Sequence, residues 1–361
     1  MASLTSVTLP LELYLLVASY LSPQDQLALL RAIPRIASAF SSRHLTYRDH
    51  NGDTVLHLLV RKSRNAVLFR DLVSSRKPSA LHVQDRLGVT PLMHTVITKN
   101  FPFMVILVEE DPSGLNITDR YGSTALLYAV ENNWIAGVQV LLQQPSIDTN
   151  GQRRGLRRKV PLLSAMDRGN RTIAQALILH PNTKINCVID VNTTPLAKAI
   201  MMCDEELANF IILNRPDLNP NGGGTRRELA LNIALLYGLD STCKLLLEHK
   251  KLKAGRPGFL GRTPLINAVV TKNFRIMELL LARKDVHVDI VDSEGRSALS
   301  YAVENSSSYV RLLLKHGAQP DLKDKDGQTP MFRAIIASFD RIEIVELLKG
   351  AINDMNTSEQ G

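Results

Sequence analysis

Asp85-Arg86-Leu87-Gly88-Val89-Thr90-Pro91-Leu92 carries the phrase on which the reading of this chain turns. Its last three residues return as Thr194-Pro195-Leu196, Thr263-Pro264-Leu265 and Thr329-Pro330-Met331. Degenerate copies fill the intervals, so that a leucine slot falls at Leu56, Leu92, Leu126, Leu162, Leu196, Leu231, Leu265, Leu299 and Met331, with spacings of 36, 34, 36, 34, 35, 34, 34 and 32 residues. Self-similarity at such a period is the mark of a repeat architecture. Alanine keeps phase three residues after the slot at Ala129, Ala165, Ala199, Ala234, Ala268, Ala302 and Ala334. An apolar block follows, as in Val140-Leu141-Leu142, Leu245-Leu246-Leu247, Leu279-Leu280-Leu281 and Leu312-Leu313-Leu314.

Each slot has a physical task. Threonine or serine caps a helix by accepting a first-turn backbone N–H. Proline suits N1, where its missing N–H is no loss. Leucine and alanine three apart share one helix face, and the leucine block gives a second helix its buried stripe. Asp-x-x-Gly before the cap (Asp85 to Gly88, Asp119 to Gly122, Asp292 to Gly295, Asp324 to Gly327) is turn chemistry, with glycine free to take positive φ. The unit predicted is a turn followed by two antiparallel helices.

A unit of this length, with Gly-x-Thr-Pro-Leu opening its first helix, resembles the ankyrin repeat. The resemblance runs over roughly 48–349 in nine copies and implies an all-α ankyrin-repeat solenoid that binds a protein on its concave face. Departures are visible. The family's histidine after the leucine stands only at His57, and Arg158-Lys159-Val160 and Arg227-Glu228-Leu229 replace the Gly-x-Thr turn in the fourth and sixth copies.

Residues 1–47 form a separate helical segment in this reading, and 350–361 a short polar tail, with Gly350 ending the last helix. Ser22 and Asp25 form a capping box with Pro23 at N1. Leu9-Pro10-Leu11-Glu12-Leu13 followed by Ser22-Pro23-Gln24-Asp25 is similar to the opening of an F-box. That resemblance implies docking on the Skp adaptor of a cullin-type ubiquitin ligase through Leu9, Pro10, Leu13, Leu16 and Leu21. The basic-Trp element of an F-box third helix is replaced by Arg35-Ile36-Ala37-Ser38-Ala39-Phe40. The plainer alternative is a cap over the apolar face of the first repeat, which any solenoid needs.

Composition narrows the function classes. The 361 residues are 45% hydrophobic, 22% charged and 5% aromatic, with a mean hydropathy of −0.03 and a pI near 9.4. No uncharged run is long enough to span a membrane, and with Arg31 as the first basic side chain no targeting segment is expected. Cys187, Cys203 and Cys243 are too far apart for a Cys-x-x-Cys site and read as reduced thiols of a cytoplasmic or nuclear protein. No phosphate loop, dinucleotide fingerprint, His-Glu-x-x-His or nucleophile elbow occurs. No enzyme, cofactor or metal is therefore expected. The glycine-rich stretch 255–261 reads as a flexible junction between repeats, and His180, His249 and His316 as cations at the ends of second helices.

Candidate partner-binding residues are Tyr121, Trp134 and Phe259 as anchors, although Trp134 also suits plain packing, together with the basic Arg153, Arg154, Arg157, Arg158, Arg226 and Arg227. Lys250, Lys251, Lys253 and Arg256 form a further basic run. Basic loops without an aromatic platform do not favour nucleic acid. The expectation is a monomeric interaction scaffold, serving as a substrate-recognition adaptor of a ubiquitin ligase; a nuclear transcription coregulator, motivated by the basic cluster 153–159, is the alternative.

Overall fold

The structure is a computed structural model, which describes residues 10–62, 65–74, 78–151, 160–188, 193–223, 228–336 and 341–358. Leu9, Arg153, Arg154, Arg157, Arg158, Arg226 and Arg227 lie outside the described residues. Among those described, the chain is helical throughout, with one isolated β-bridge between Gly223 and Leu229. It divides into two units, Met1–Lys184 and Ile185–Gly361.

The first unit opens with α1 (Leu11–Ala18), α2 (Pro23–Ala32), a 3-10 turn (Pro34–Ala39) and α3 (Ser42–Thr46). Helical hairpins follow: α4 (Val55–Lys62) with α5 (Ala66–Val73), then, after the short α6 (Pro78–Leu81), α7 (Pro91–Ile97) with α8 (Phe101–Glu110), α9 (Ala125–Glu131) with α10 (Ile135–Leu142), and α11 (Pro161–Asp167) with α12 (Arg171–Leu179). First helices stack as one layer, α4 on α7 on α9 on α11, and second helices as another, α5 on α8 on α10 on α12. The second unit pairs α13 (Pro195–Met201) with α14 (Glu205–Asn214), α15 (Ala230–Leu236) with α16 (Asp240–Glu248), α17 (Pro264–Val270) with α18 (Phe274–Leu281), α19 (Ala298–Ala302) with α20 (Ser307–Lys315), and α21 (Pro330–Ile336) with α22 (Arg341–Ser358).

The caps are in place. The hydroxyls of Thr90, Thr124, Thr194, Thr263 and Ser297 accept the N–H three residues on at 3.2–3.3 Å. Leucine slots from Leu56 to Leu299 are buried between the layers, as are Leu141, Leu246, Leu280 and Leu313 of the second helices. Phe69 and Phe103 stack at 4.1 Å inside the second-helix layer. A left-handed residue recurs where the first helix turns into the second: Lys99, Asn133, Cys203 and Lys272 at φ 51–57°, with Gly169 and Gly238 in two further hairpins.

At the N-terminus, α2 packs on α4 as a first helix would, and the turn Pro34–Ala39 packs on α5 as a second helix would. These residues thus continue the two layers past the first hairpin. The Ser22 cap forms as read from the sequence, with its hydroxyl accepting from Asp25 N at 3.2 Å. At the other end the expectation fails. Gly350 does not stop α22, which continues to Ser358. Gly350 is not among the glycines with positive φ, and a glycine costs a helix interior only about 1 kcal/mol. Ala351 and Ile352 extend the helical pattern past it.

Two kinds of joint tie neighbouring repeats. At the turns, a backbone N–H donates to a carbonyl of the preceding tip: Arg86 to Asn51 at 3.1 Å, Arg120 to Leu87 at 3.0 Å, Ser293 to Leu260 at 2.7 Å and Lys325 to Glu294 at 3.0 Å. Elsewhere an asparagine side chain bridges two backbone groups of the next repeat. Asn116 donates to Ser146 O and accepts from Asp148 N. Asn150 does the same with Asn182 and Lys184, Asn186 with Asp217 and Asn219, and Asn221 with Lys251 and Lys253, at 2.7–2.8 Å. Replacing Asn221 by alanine removes both bonds of one clamp and should cost about 1–3 kcal/mol, since each contributes about 0.5–1.5 kcal/mol net. Urea titration of the variant measures it; a midpoint equal to that of the parent chain would mean that water replaces the clamp at no cost.

Candidate protein-binding surface

The turns have one construction. The Oδ1 atom of Asp85 accepts the N–H of Leu87 at 2.8 Å and of Val89 at 2.9 Å. Asp49, Asp119, Asp292 and Asp324 make the same two bonds. The Oδ2 atom then meets a first-helix side chain nine residues on: His94 at 3.1 Å from Asp85, Tyr128 at 2.6 Å from Asp119, Tyr301 at 2.7 Å from Asp292 and the Arg333 Nε at 3.0 Å from Asp324. Burial alone would raise the Asp85 carboxyl, but the N–H of Val89, the His94 ring and the N–H of Leu87 together hold it below its usual range. Burial, then Asp119, push the Tyr128 hydroxyl upward. The turn carboxylates of Asp85 and Asp119 are engaged inward, and the two residues at each of these tips are left facing solvent.

The seventh repeat shows what happens without the aspartate. Gly258 stands in its place, and the turn still closes, with Gly258 N bonded to Arg262 O and Gly261 at φ +71°. Glu228 from the preceding repeat supplies a carboxylate to Phe259 N at 3.0 Å. The stretch 255–261 is therefore a bonded tip, not the loose junction expected. Asn267, nine residues on, is left with a buried Oδ1 that has no partner.

The histidines divide by environment. His57 is fully buried, with its Nδ1 accepting Thr54 N–H at 3.1 Å and its Nε2 lying 3.1 Å from Val89 O. Burial, then the neighbouring His94, lower it to about 4. His180 and His249 do end second helices, but as acceptors: their Nδ1 atoms take the N–H of Asn182 and Lys251 at 3.3 Å. His249 is lowered by burial and by Lys251, which favours the neutral ring over the cation expected there. Asp53, Asp85 and His94 place potential metal-ligand atoms within 4.8 Å of one another. Those atoms are already committed, Asp53 to Arg61 in an ion pair and His94 to Asp85 in a hydrogen bond.

The candidate contact residues fall into separate rows. Tyr121 is 64% exposed at the tip Asp119–Gly122. Phe259 is at a tip too, but of the second unit. Trp134 belongs to another row, at the start of α10, where its ring lies over Gly137 and meets Phe101 edge-on at 6.3 Å. Pro10 precedes α1 and is exposed, as are Leu13 and Leu16, whereas Leu21 is half-buried. Missed by the sequence reading are Arg86, Leu87 and Arg120, which share the tip row with Tyr121. The signal was available: they occupy the two variable places of Asp-x-x-Gly.

A hairpin stack of this kind, with bonded tips along one edge, is a repeat scaffold. Over two stretches its repeats match a known family, the ankyrin repeats. The family profile described as ankyrin repeats (three copies) matches residues 56–153 and 284–358. The stretch between contains the four hairpins that lack an Asp-x-x-Gly turn, and these fold as helix pairs all the same. Human Rabankyrin-5 is 27% identical over 154 residues, covering 39% of this chain and 13% of that protein. The ankyrin repeat protein YahD of Escherichia coli (strain K12) is 29% identical over 150 residues, covering 41% of this chain and 59% of YahD. The chain thus spans less than two thirds of either relative. The crystal structure of the ankyrin repeat domain of Bcl-3, a member of the IkappaB protein family, shares the fold with a TM-score of 0.50 at 23% identity, over 63% of this chain and 99% of that one. Ankyrin repeats are protein-interaction modules, and the matched residues carry that fold. No helix among the described residues is long and apolar enough to cross a membrane.

Proposed function

We propose that this scaffold is a substrate-recognition adaptor, holding a target protein on its repeats while α1 docks on the Skp subunit of a cullin-type ubiquitin ligase. The observation that carries this reading is the surface of α1. Leu11, Leu13, Leu16 and Val17 are all exposed, as is Tyr20 just beyond the helix, and Ala18 is the one residue of the helix that is buried. The first hairpin is already packed against α2 and Pro34–Ala39. A helix that gives so little to the fold and so much apolar surface to solvent is suited to a partner. The nuclear coregulator reading rests on the cluster 153–159, outside the described residues, and the exposed α1 favours the adaptor.

The test is co-purification of the tagged full chain against Leu13→Glu/Leu16→Glu. Both side chains face solvent, so the variant should melt as the parent does, lose the Skp and cullin subunits and keep its other partners. Absence of Skp from the parent preparation, or its unchanged recovery with the variant, would remove the adaptor role.

A further inference from the structure

The tips of the first unit form a chemically coherent row. Their two outward residues are His50 and Asn51, then Arg86 and Leu87, then Arg120 and Tyr121, and all six are exposed. The backbone bonds from Arg86 to Asn51 and from Arg120 to Leu87 fix these tips side by side. The row's own carboxylates, Asp49, Asp85 and Asp119, are spent on turn N–H groups. Neither Arg86 nor Arg120 has a carboxylate partner among the described residues. Leu87 is 53% exposed and Tyr121 64%. At the second and third tips a guanidinium therefore stands beside an apolar or aromatic side chain, with no exposed acid between the two tips.

We propose that this row binds an extended acidic segment of the partner protein, with an apolar side chain at every third position and carboxylates between. The assignment rests on the protein-binding reading above and specifies the chemistry of what is bound. The spacing follows from geometry. Stacked helices lie about 8–10 Å apart and an extended chain rises about 3.3 Å per residue, so about three ligand residues pass each tip. Carboxylates would meet the Arg86 and Arg120 guanidinium groups, which present a planar fork suited to them. Apolar side chains would cover Leu87 and Tyr121. Single-stranded nucleic acid fits less well, because successive bases need successive aromatic platforms and the row offers Asn51, Leu87 and Tyr121.

The experiment measures fluorescence anisotropy of a labelled peptide of Leu-Asp-Glu repeats with the full chain. Comparison ligands are a peptide of the same composition with its leucines clustered, a Leu-Lys-Lys peptide and oligothymidine of equal length. The repeat peptide should bind best and weaken with salt. It should lose about tenfold or more with Arg86→Glu/Arg120→Glu, since reversed charges repel what the native pair attracts. Leu87→Ser/Tyr121→Ser should lower affinity without changing the salt dependence. Equal binding by the charge-reversed variant, equal binding of the clustered peptide, or preference for oligothymidine would each overturn the assignment. Cross-linking both chains in cell extract separates the two failures. Proteins captured by the parent with no acidic-peptide binding would sink the acidic segment alone; no captured protein at all would sink the scaffold reading beneath it.

Discussion

Replacing Gly88 by alanine should cost about 3 kcal/mol, and the same change at Gly327 only about 1 kcal/mol, although both glycines have nearly the same backbone conformation. Gly88 has φ +82° and Gly327 φ +74°. In that region any side chain carries strain, about 1 kcal/mol for alanine. The difference lies in the neighbours. A Cβ on Gly88 would stand 2.8 Å from Arg120 N and 3.1 Å from the Asp119 backbone carbon, whereas nothing lies within 4 Å of one on Gly327. The atoms met at Gly88 are backbone, held by the bond from Arg120 N to Leu87 O, so they cannot swing aside as a side chain would. Relief requires parting the second and third turns. Urea unfolding of the two variants gives the comparison directly. Equal losses at both sites would mean that the close approach of the turns contributes nothing.

Acid should destabilise the first unit through His57. Below its ordinary value of 6.5 the ring of an unfolded chain takes up a proton, while the folded ring resists until about pH 4. The unfolded state thus binds more protons in that window, and stability falls as pH drops from 6.5 toward 4. The full loss is about 3 kcal/mol, the free energy of a shift of this size. The bonding explains the resistance. Nδ1 already accepts Thr54 N–H, so a proton there would face another donor. His94, lowered by burial against the pull of Asp85, acts with the same sign. His57→Gln should be less stable than the parent at pH 7 and lose less on acidification. Parallel stability curves for the two chains between pH 7 and pH 4.5 would rule His57 out, because the carboxylates contribute equally to both.

What the sequence made legible was what repeats at the opening of each first helix. Thr-Pro-Leu, the alanine three residues on and the Asp-x-x-Gly turn are local devices, and each reads the same in a linear string as in the folded chain. The partners of the turn were harder. Asp85 with His94, Asp119 with Tyr128, Asp292 with Tyr301 and Asp324 with Arg333 share one geometry but no residue type at the second place. The asparagine clamps kept the repeat period, at Asn116, Asn150, Asn186 and Asn221, yet their partners are backbone groups, which leave no trace in side-chain identity. Gly350 misled because a glycine after Leu347-Leu348-Lys349 has the look of a helix end, and only the packed chain shows α22 running on. Trp134 and Tyr121 are thirteen positions apart in sequence but belong to opposite ends of one repeat.

The two kinds of joint age differently. A tip joint is backbone to backbone and survives any chemistry of side chains. A clamp hangs on a carboxamide whose nitrogen donates and whose oxygen accepts, and Asn150 and Asn221 are each followed by glycine, the neighbour that leaves an asparagine most open to hydrolysis. Conversion of either to aspartate would set a carboxylate against the carbonyl of Asn182 or Lys251 and undo half the clamp. Old preparations of this protein should therefore loosen first at those two seams, a drift that peptide mapping by mass spectrometry would follow and that Asn221→Ser would abolish at its own position.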